Sequence, residues 1–326
     1  MADGRTAGKP GFEAGRGRES TRPGEIPKPG WRDILIRTKE SISTDNVGLV
    51  AAGMAFYGLL AMFPAIAALV SIYGLFADPA EVRQQLQLLS GLVPERAQEI
   101  IGSQMERVAG SGSRSLSFAA AGGILLALWG TTKGVKAFMQ AMNIAYGEEE
   151  KRGLIRQNLV ALALTLFVIV LALLALVTIV AIPAVIDRLG LGFGTNLLVT
   201  LLRWPLIAVI FGATLAVFYR YTPSRAEARW RWVSPGSIAA IALWLVASMA
   251  FSVYLRNFDS YNETYGSLGA VVAMMMWLWL TAFTLVLGAE LNAEIERQTR
   301  HDSTTGTPRP MGMRGAHAAD TVGEVH

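Results

Sequence analysis

Cysteine is absent from the 326 residues. That excludes disulfides, thiol catalysis and cysteine-based zinc sites. Histidine is scarce: the three present, His301, His317 and His326, all fall in the polar C-terminal stretch. A membrane protease built on Ser and His therefore lacks its base. The clustered His and Asp ligands of a metal-dependent hydrolase or nuclease are missing as well. An aspartyl protease of the membrane needs two carboxylates within spans, whereas Asp187 and Asp259 fall in predicted loops. HExxH, Walker A and GxSxG motifs are not found. The sequence predicts no catalytic residues, no metal and no cofactor. Charge is sparse too, at 17% against about 25% for soluble domains.

What the chain has instead is long apolar runs. A span needs roughly 20 apolar residues to cross about 30 Å of hydrocarbon. Six segments qualify: 47–76, 117–140, 158–186, 197–219, 236–255 and 268–293. They predict an all-α membrane protein, a bundle of six transmembrane helices. Pro64 in the first segment can kink it. The first run opens near Val47 and continues well beyond the roughly 7–15 residues of a signal peptide, so it is expected to be retained as an anchor.

Residues 1–30 and 298–326 are rich in Gly, Pro and charge, and both are expected to be disordered tails flanking a membrane domain over 31–297. Residues 31–46 place Trp31, Ile34, Leu35 and Thr38 on one helical face, either as a surface helix of the membrane or as a cap over the bundle. Between the first two spans, 77–116 reads as a short amphipathic helical cap. Asp78-Pro79 supplies a helix start, followed by Val82, Leu86 and Leu89 at helical spacing.

Orientation follows from the 29 Lys and Arg. An even number of spans puts 22 of them on the side of the termini and 7 on the other. The bias predicts both termini and the 220–234 loop in the cytoplasm. Several Trp, among them Trp204, Trp230 and Trp279, fall near span ends as candidate interface anchors.

Few polar residues accompany the spans, and those few are candidates for a path or gate. Glu290, followed by Asn292, lies about 33 Å along the last helix at 1.5 Å per residue, which is its cytoplasmic boundary. Lys133 and Lys136 end the second span and Arg220 ends the fourth, so Glu290 is expected to pair with Lys133 or Arg220. Such a pair either ties helix ends together or forms a cytoplasmic gate. Tyr57 and Pro64 could open a polar fissure in the first span. A second cluster, with Tyr254, Asp259, Tyr261 and Tyr265, reads as an outer mouth or as an ordinary aromatic belt. Small residues in the first two spans (Gly48, Ala51, Ala55; Gly130, Gly134) permit close packing, and such faces also permit a homo-oligomer. The four Arg of the 220–234 loop suit anionic lipid better than nucleic acid, because they sit beside two spans.

Several blocks resemble a known family. They are AAGMAFYGLLAMFPAIAALVSIYGL, LWGTTKGVKAFMQAMNIAYGEEEKRG with Asn143, Tyr146 and Arg152, YRYTPSRAEARWRWVSPGSIAAIALW, and YGSLGAVVAMMMWLWLTAFTLVLGAELNAEIER. In this order they are similar to the YihY/BrkB family of bacterial inner-membrane proteins, over residues 31–297. The resemblance implies six membrane helices in the inner (plasma) membrane. It also implies two labels, ribonuclease BN-like and virulence factor, neither of which is a mechanism, and a suggested link to envelope lipid export. The expected function is a transporter or lipid-handling protein of the cell envelope, with membrane lipids as partners. The alternative is a non-catalytic scaffold that organises partners through the cap and tails. A membrane-associated ribonuclease ranks third.

Overall fold

A computed structural model describes residues 15–74, 113–176, 209–256 and 267–326. Among these the chain is helical, and its extended pairing is a single bridge between Ala228 and Thr304. A short 3-10 turn, Pro23–Glu25, leads into α1 (Lys28–Thr44). α2 is Val47–Gly74, α3 Ser113–Ala145 and α4 Leu154–Leu176. α5 is Val209–Tyr221, α6 Trp230–Arg256, α7 Ser267–Glu296 and α8 His317–Asp320.

The breaks have local causes. Prolines at the entry of α1 suit its first turn, where the missing N–H would be unpaired anyway. Asn46 at φ 51° ends the α1–α2 junction in the left-handed region that Asn tolerates, and α2 leaves α1 at 62°. Gly147 at φ 64° stops α3 and lets the Glu148 N–H return to the Asn143 carbonyl at 2.8 Å.

α4, α6 and α7 are long and apolar enough to cross a membrane among the described residues, and α1 with α2 makes a fourth candidate if the bent pair is one span. α2 packs on α3 and α7, α6 packs on α7, and α1 crosses the end of α7. The core between them holds Val47, Met139, Met142, Tyr219, Val286 and Ala289. The opposite faces of α4 and α6 expose Leu154, Ile155, Leu159, Ile238, Val246 and Met249. A water-soluble protein rarely leaves so continuous an apolar surface, whereas lipid tails solvate it. Small residues bring α2 and α3 together as expected: a Cβ on Gly130 would lie 3.3 Å from the Ala61 Cα.

The expected helical cap at 77–116 lies outside the described residues apart from the start of α3. The expectation of disordered tails is corrected for 15–30 and 298–326, while 1–14 lie outside the described residues. Residues 15–30 and 298–326 fold onto one end of the bundle. Arg18 donates to the carbonyls of Gln298 (3.3 Å) and Gly323 (2.7 Å), and Arg16 to the carbonyl of His326 (2.8 Å). Arg314 donates to the carbonyls of Arg300, His301, Arg309 and Ala319. These segments have little apolar surface, but charge-assisted bonds to backbone carbonyls order them without it.

Candidate functional site

The last turns of α7 read GAELNAEIE, and helical spacing sorts their polar groups onto two faces. Glu290 and Glu294 point towards α1 and the α1–α2 junction. Asn292 and Glu296 point towards α6 and the loop that follows α5. All four are buried.

Asn292 fastens α6. Its amide oxygen accepts the Gly236 N–H at 2.7 Å, and its amide nitrogen donates to the Val233 carbonyl at 3.0 Å. Pro235 has no N–H to contribute in these first turns of α6. At the same crossing the Tyr219 hydroxyl donates to the Leu285 carbonyl at 2.7 Å.

Two buried arginines clamp the carboxylates. Arg225 donates to Glu296 at 2.7 Å, with side chains 1% and 0% exposed. The Ser303 hydroxyl donates to the same oxygen, also at 2.7 Å. The Arg225 guanidinium lies 4.7 Å from the centre of the Tyr146 ring. Arg37, from α1, donates to the Glu294 carboxylate (2.5 Å), to Gln298 Oε1 (2.8 Å) and to the Glu324 carbonyl (2.8 Å). The loop carrying Arg225 is held in turn from α3. Asn143 accepts the Ser224 N–H at 2.7 Å, and Arg152 donates to the Thr222 carbonyl at 2.7 Å. Partial burial pushes the Glu150 carboxyl up, but hydrogen bonds from the Arg152 side chain and backbone overcome this and bring it down to about 2.

Ten buried side-chain polar atoms lack a hydrogen-bond partner among the described residues, and Glu290 Oε1, Glu296 Oε1, Arg225 Nη1 and the Tyr146 hydroxyl are four of them. Tyr146 lies among Glu296, Arg225, Asn292 and Glu290. Burial, then the Glu296 charge, push its phenol up, so the hydroxyl keeps its proton and can donate. Buried polar groups normally find partners, and each one left over costs about 1–3 kcal/mol. An acceptor-rich and donor-bearing interior of this kind suits water or the polar part of a solute.

Asp45, at the α1–α2 junction, comes within hydrogen-bonding reach of Glu290. Burial and then the Glu294 charge raise the Asp45 carboxyl above its ordinary 3.8. The folded state thus holds that proton better than the unfolded chain does. Its contribution is full below pH 3.8 and is lost as pH rises through the folded value. Asp45→Asn is therefore expected to raise the melting temperature at pH 7 and to flatten its fall between pH 4 and 7. Thermal unfolding across that range checks this, and a lower melting temperature at pH 7 contradicts it.

The expected pairing of Glu290 with Lys133 or Arg220 does not occur. Arg220 pairs with Glu227 at 2.9 Å and stacks over Trp230, 4.5 Å from the ring centre. Lys133 lies over Trp129, and Lys136 pairs with Asn158. The reason is helical phase: α3 turns Val135, Met139 and Met142 inwards, so Lys133 and Lys136 fall on its other sides. Tyr57 is exposed and edge-on to Phe56. α2 continues as helix through Pro64. Tyr254 stacks on Phe251 at the far end of α6, while Asp259, Tyr261 and Tyr265 lie outside the described residues. Of the four Arg in the 220–234 loop, Arg225 and Arg220 are paired, Arg229 donates to the Thr304 carbonyl at 2.9 Å, and Arg231 is exposed. The residues that sequence reasoning missed are Arg37, Arg225, Glu294 and Glu296. Three carboxylates in the last seven residues of an apolar helix were the available signal that buried cations must meet them.

The family model described as Virulence factor BrkB matches residues 38–311, which include this cluster except for Arg37 and the Glu324 carbonyl. The chain belongs to the BrkB family. Among BrkB-related proteins, YfkH of Bacillus subtilis, whose name calls it ribonuclease-like, is 27% identical over 256 residues, 77% of this chain and 90% of YfkH. A UPF0761 membrane protein of Aliivibrio salmonicida is 26% identical, covering 81% of this chain and 83% of its own. A UPF0761 membrane protein of Vibrio cholerae is 27% identical, covering 84% and 89%. No solved structure matches this BrkB-family chain.

Proposed function

We propose that this BrkB-family chain is an inner-membrane transporter or lipid-handling protein of the cell envelope. In this reading six helices cross the bilayer, both termini face the cytoplasm, and the charged end of α7 is the gate on that side. The placement of 22 Lys and Arg with the termini against 7 on the other side supports the orientation. The observation that carries the functional reading is the burial of Glu290 and Glu296 beside Arg225 and Tyr146, with one polar atom of each left without a hydrogen-bond partner. A purely structural helix tie would gain by pairing them or replacing them with carbon. A gate needs them available for a passing polar group, with the Arg225–Glu296 and Arg37–Glu294 pairs as the contacts that part.

His301 faces Glu19, His326 faces Glu40, and His317 packs against Gly147, so the three imidazoles stand apart. The described tail residues, 15–30 and 298–326, fold onto the bundle rather than reaching outwards, which favours the transport reading over a scaffold that recruits partners through them. Arg231, beside the exposed Trp230, remains available to anionic lipid.

The test is transbilayer movement of labelled lipids in liposomes containing the purified chain, with Glu290→Gln and Tyr146→Phe compared with wild type. Loss of movement of roughly tenfold or more in folded variants supports the gate. Unchanged movement in both removes it.

A further inference from the structure

α1 has two faces of opposite character. Gly30, Asp33, Ile34, Arg37 and Thr38 are buried against the bundle, with Ile34 meeting Trp232 and Ile295. The other face carries Lys28, Arg32, Leu35, Ile36 and Lys39, and with Trp31, which sits at the edge against the Ile34 cluster, they recur at helical spacing and line a shallow hollow of about 550 Å³. We propose that this hollow is a binding site for an anionic phospholipid, with the headgroup held by the three cations and the acyl region lying on Trp31, Leu35 and Ile36.

Charge complementarity selects the occupant. Lys28, Arg32 and Lys39 form no ion pair among the described residues, and no acid lines the hollow. The acids of α1 are turned elsewhere: Asp33 is buried on Arg16 at 2.5 Å, and Glu40 faces His326 at 3.6 Å. The contrast with the 220–234 loop is direct, because three of that loop's four arginines are already engaged. The apolar half of the hollow has a matching role. Leu35 is 59% exposed, a cost in water that acyl chains remove.

Position agrees with chemistry. α1 leaves α2 at 62°, so with α2 along the bilayer normal α1 lies nearer the plane of the surface. Its long cationic side chains can then reach headgroups while their stems cover apolar surface. It sits at the α7 end where the N-terminal and C-terminal segments meet, the end read above as cytoplasmic. The site does not depend on transport: its readout is bound lipid, not lipid movement.

The experiment titrates the full-length chain in detergent with phosphatidylglycerol or phosphatidylcholine of matched chains and counts bound lipids by native mass spectrometry. Each cation near an anionic surface contributes a factor of roughly 5, so the triple variant Lys28→Gln/Arg32→Gln/Lys39→Gln should lose on the order of 100-fold in phosphatidylglycerol affinity. Arg32→Gln alone should lose roughly 5-fold, which keeps the test open if the triple variant does not fold. Phosphatidylcholine binding should be weak and unchanged. Four results would overturn the proposal. They are equal binding of both lipids by wild type, unaltered affinity in the variants, displacement of the lipid by inorganic phosphate alone, or a loss in Arg231→Gln as large as in the triple variant.

Discussion

Gly236→Ala is expected to destabilise the protein by on the order of 3 kcal/mol, near the upper end of overpacking costs. α6 and α7 cross where glycine faces glycine. A Cβ on Gly236 would fall 2.1 Å from the Gly288 carbonyl oxygen and 2.5 Å from the Asn292 Cγ. A Cβ on Gly288 would fall 2.5 Å from the Tyr219 hydroxyl and 2.7 Å from the Gly236 carbonyl oxygen. Two of these four neighbours are backbone carbonyl oxygens, which cannot swing away. The change would also push Asn292 off the Gly236 N–H and Val233 carbonyl that it bridges. Gly53 is the internal comparison. It lies on an open face of α2 with nothing within 4 Å of an added Cβ. Gly53→Ala should stabilise slightly, by roughly 0.5–1 kcal/mol, from helix propensity alone. Thermal unfolding of the two variants side by side decides the matter. If Gly236→Ala is as stable as Gly53→Ala, the close α6–α7 crossing is wrong.

The second large effect belongs to Arg225 and Glu296. Removing one partner leaves the other charge buried, at about 3–5 kcal/mol. Arg225→Met should therefore be severely destabilised, and Glu296→Leu similarly. The double variant should recover much of the loss, since apolar side chains of like volume often replace a buried pair without penalty. Both side chains are essentially removed from solvent, so screening by water offers little relief. A thermodynamic cycle of the four proteins measures the coupling. Single losses below about 1 kcal/mol that simply add would show a solvated pair.

The helices were legible because apolar runs of span length have few other uses. Over its described residues each of the six runs is helical, although 75–76, 177–186 and 197–208 lie outside them. Their ends were less so. α6 begins at Trp230 and not at residue 236, because Pro235 sits early enough for its missing N–H to be tolerated. α3 continues past the apolar run to Ala145, since Lys133, Lys136 and Asn143 interrupt hydrophobicity without breaking a helix. Glu290 stood out as a carboxylate in an apolar helix, but its surroundings did not. The nearest basic residues by span counting were Lys133 and Arg220, whereas the cations that clamp the end of α7 come from α1 and from a loop. That choice is made by tertiary packing and by the phase of α3, neither of which has a periodic signature. The C-terminal segment was misread for a related reason. Its order rests on Arg314, Arg18 and Arg37 reaching backbone carbonyls, an interaction that leaves no hydrophobic pattern.

The most direct measurement is lipid movement by the wild-type chain itself. Liposomes carrying fluorescent phosphatidylglycerol or phosphatidylcholine in both leaflets are treated with a reductant that quenches only the outer one. Without protein, about half of the signal should persist, because the leaflets do not mix. With the chain reconstituted, the account predicts that the protected fraction falls well below that level for at least one of the two lipids, and that Glu290→Gln restores it. Equal protection with and without protein, for both lipids and with correctly inserted chain, would contradict the lipid-handling reading and leave the buried end of α7 as a helix tie.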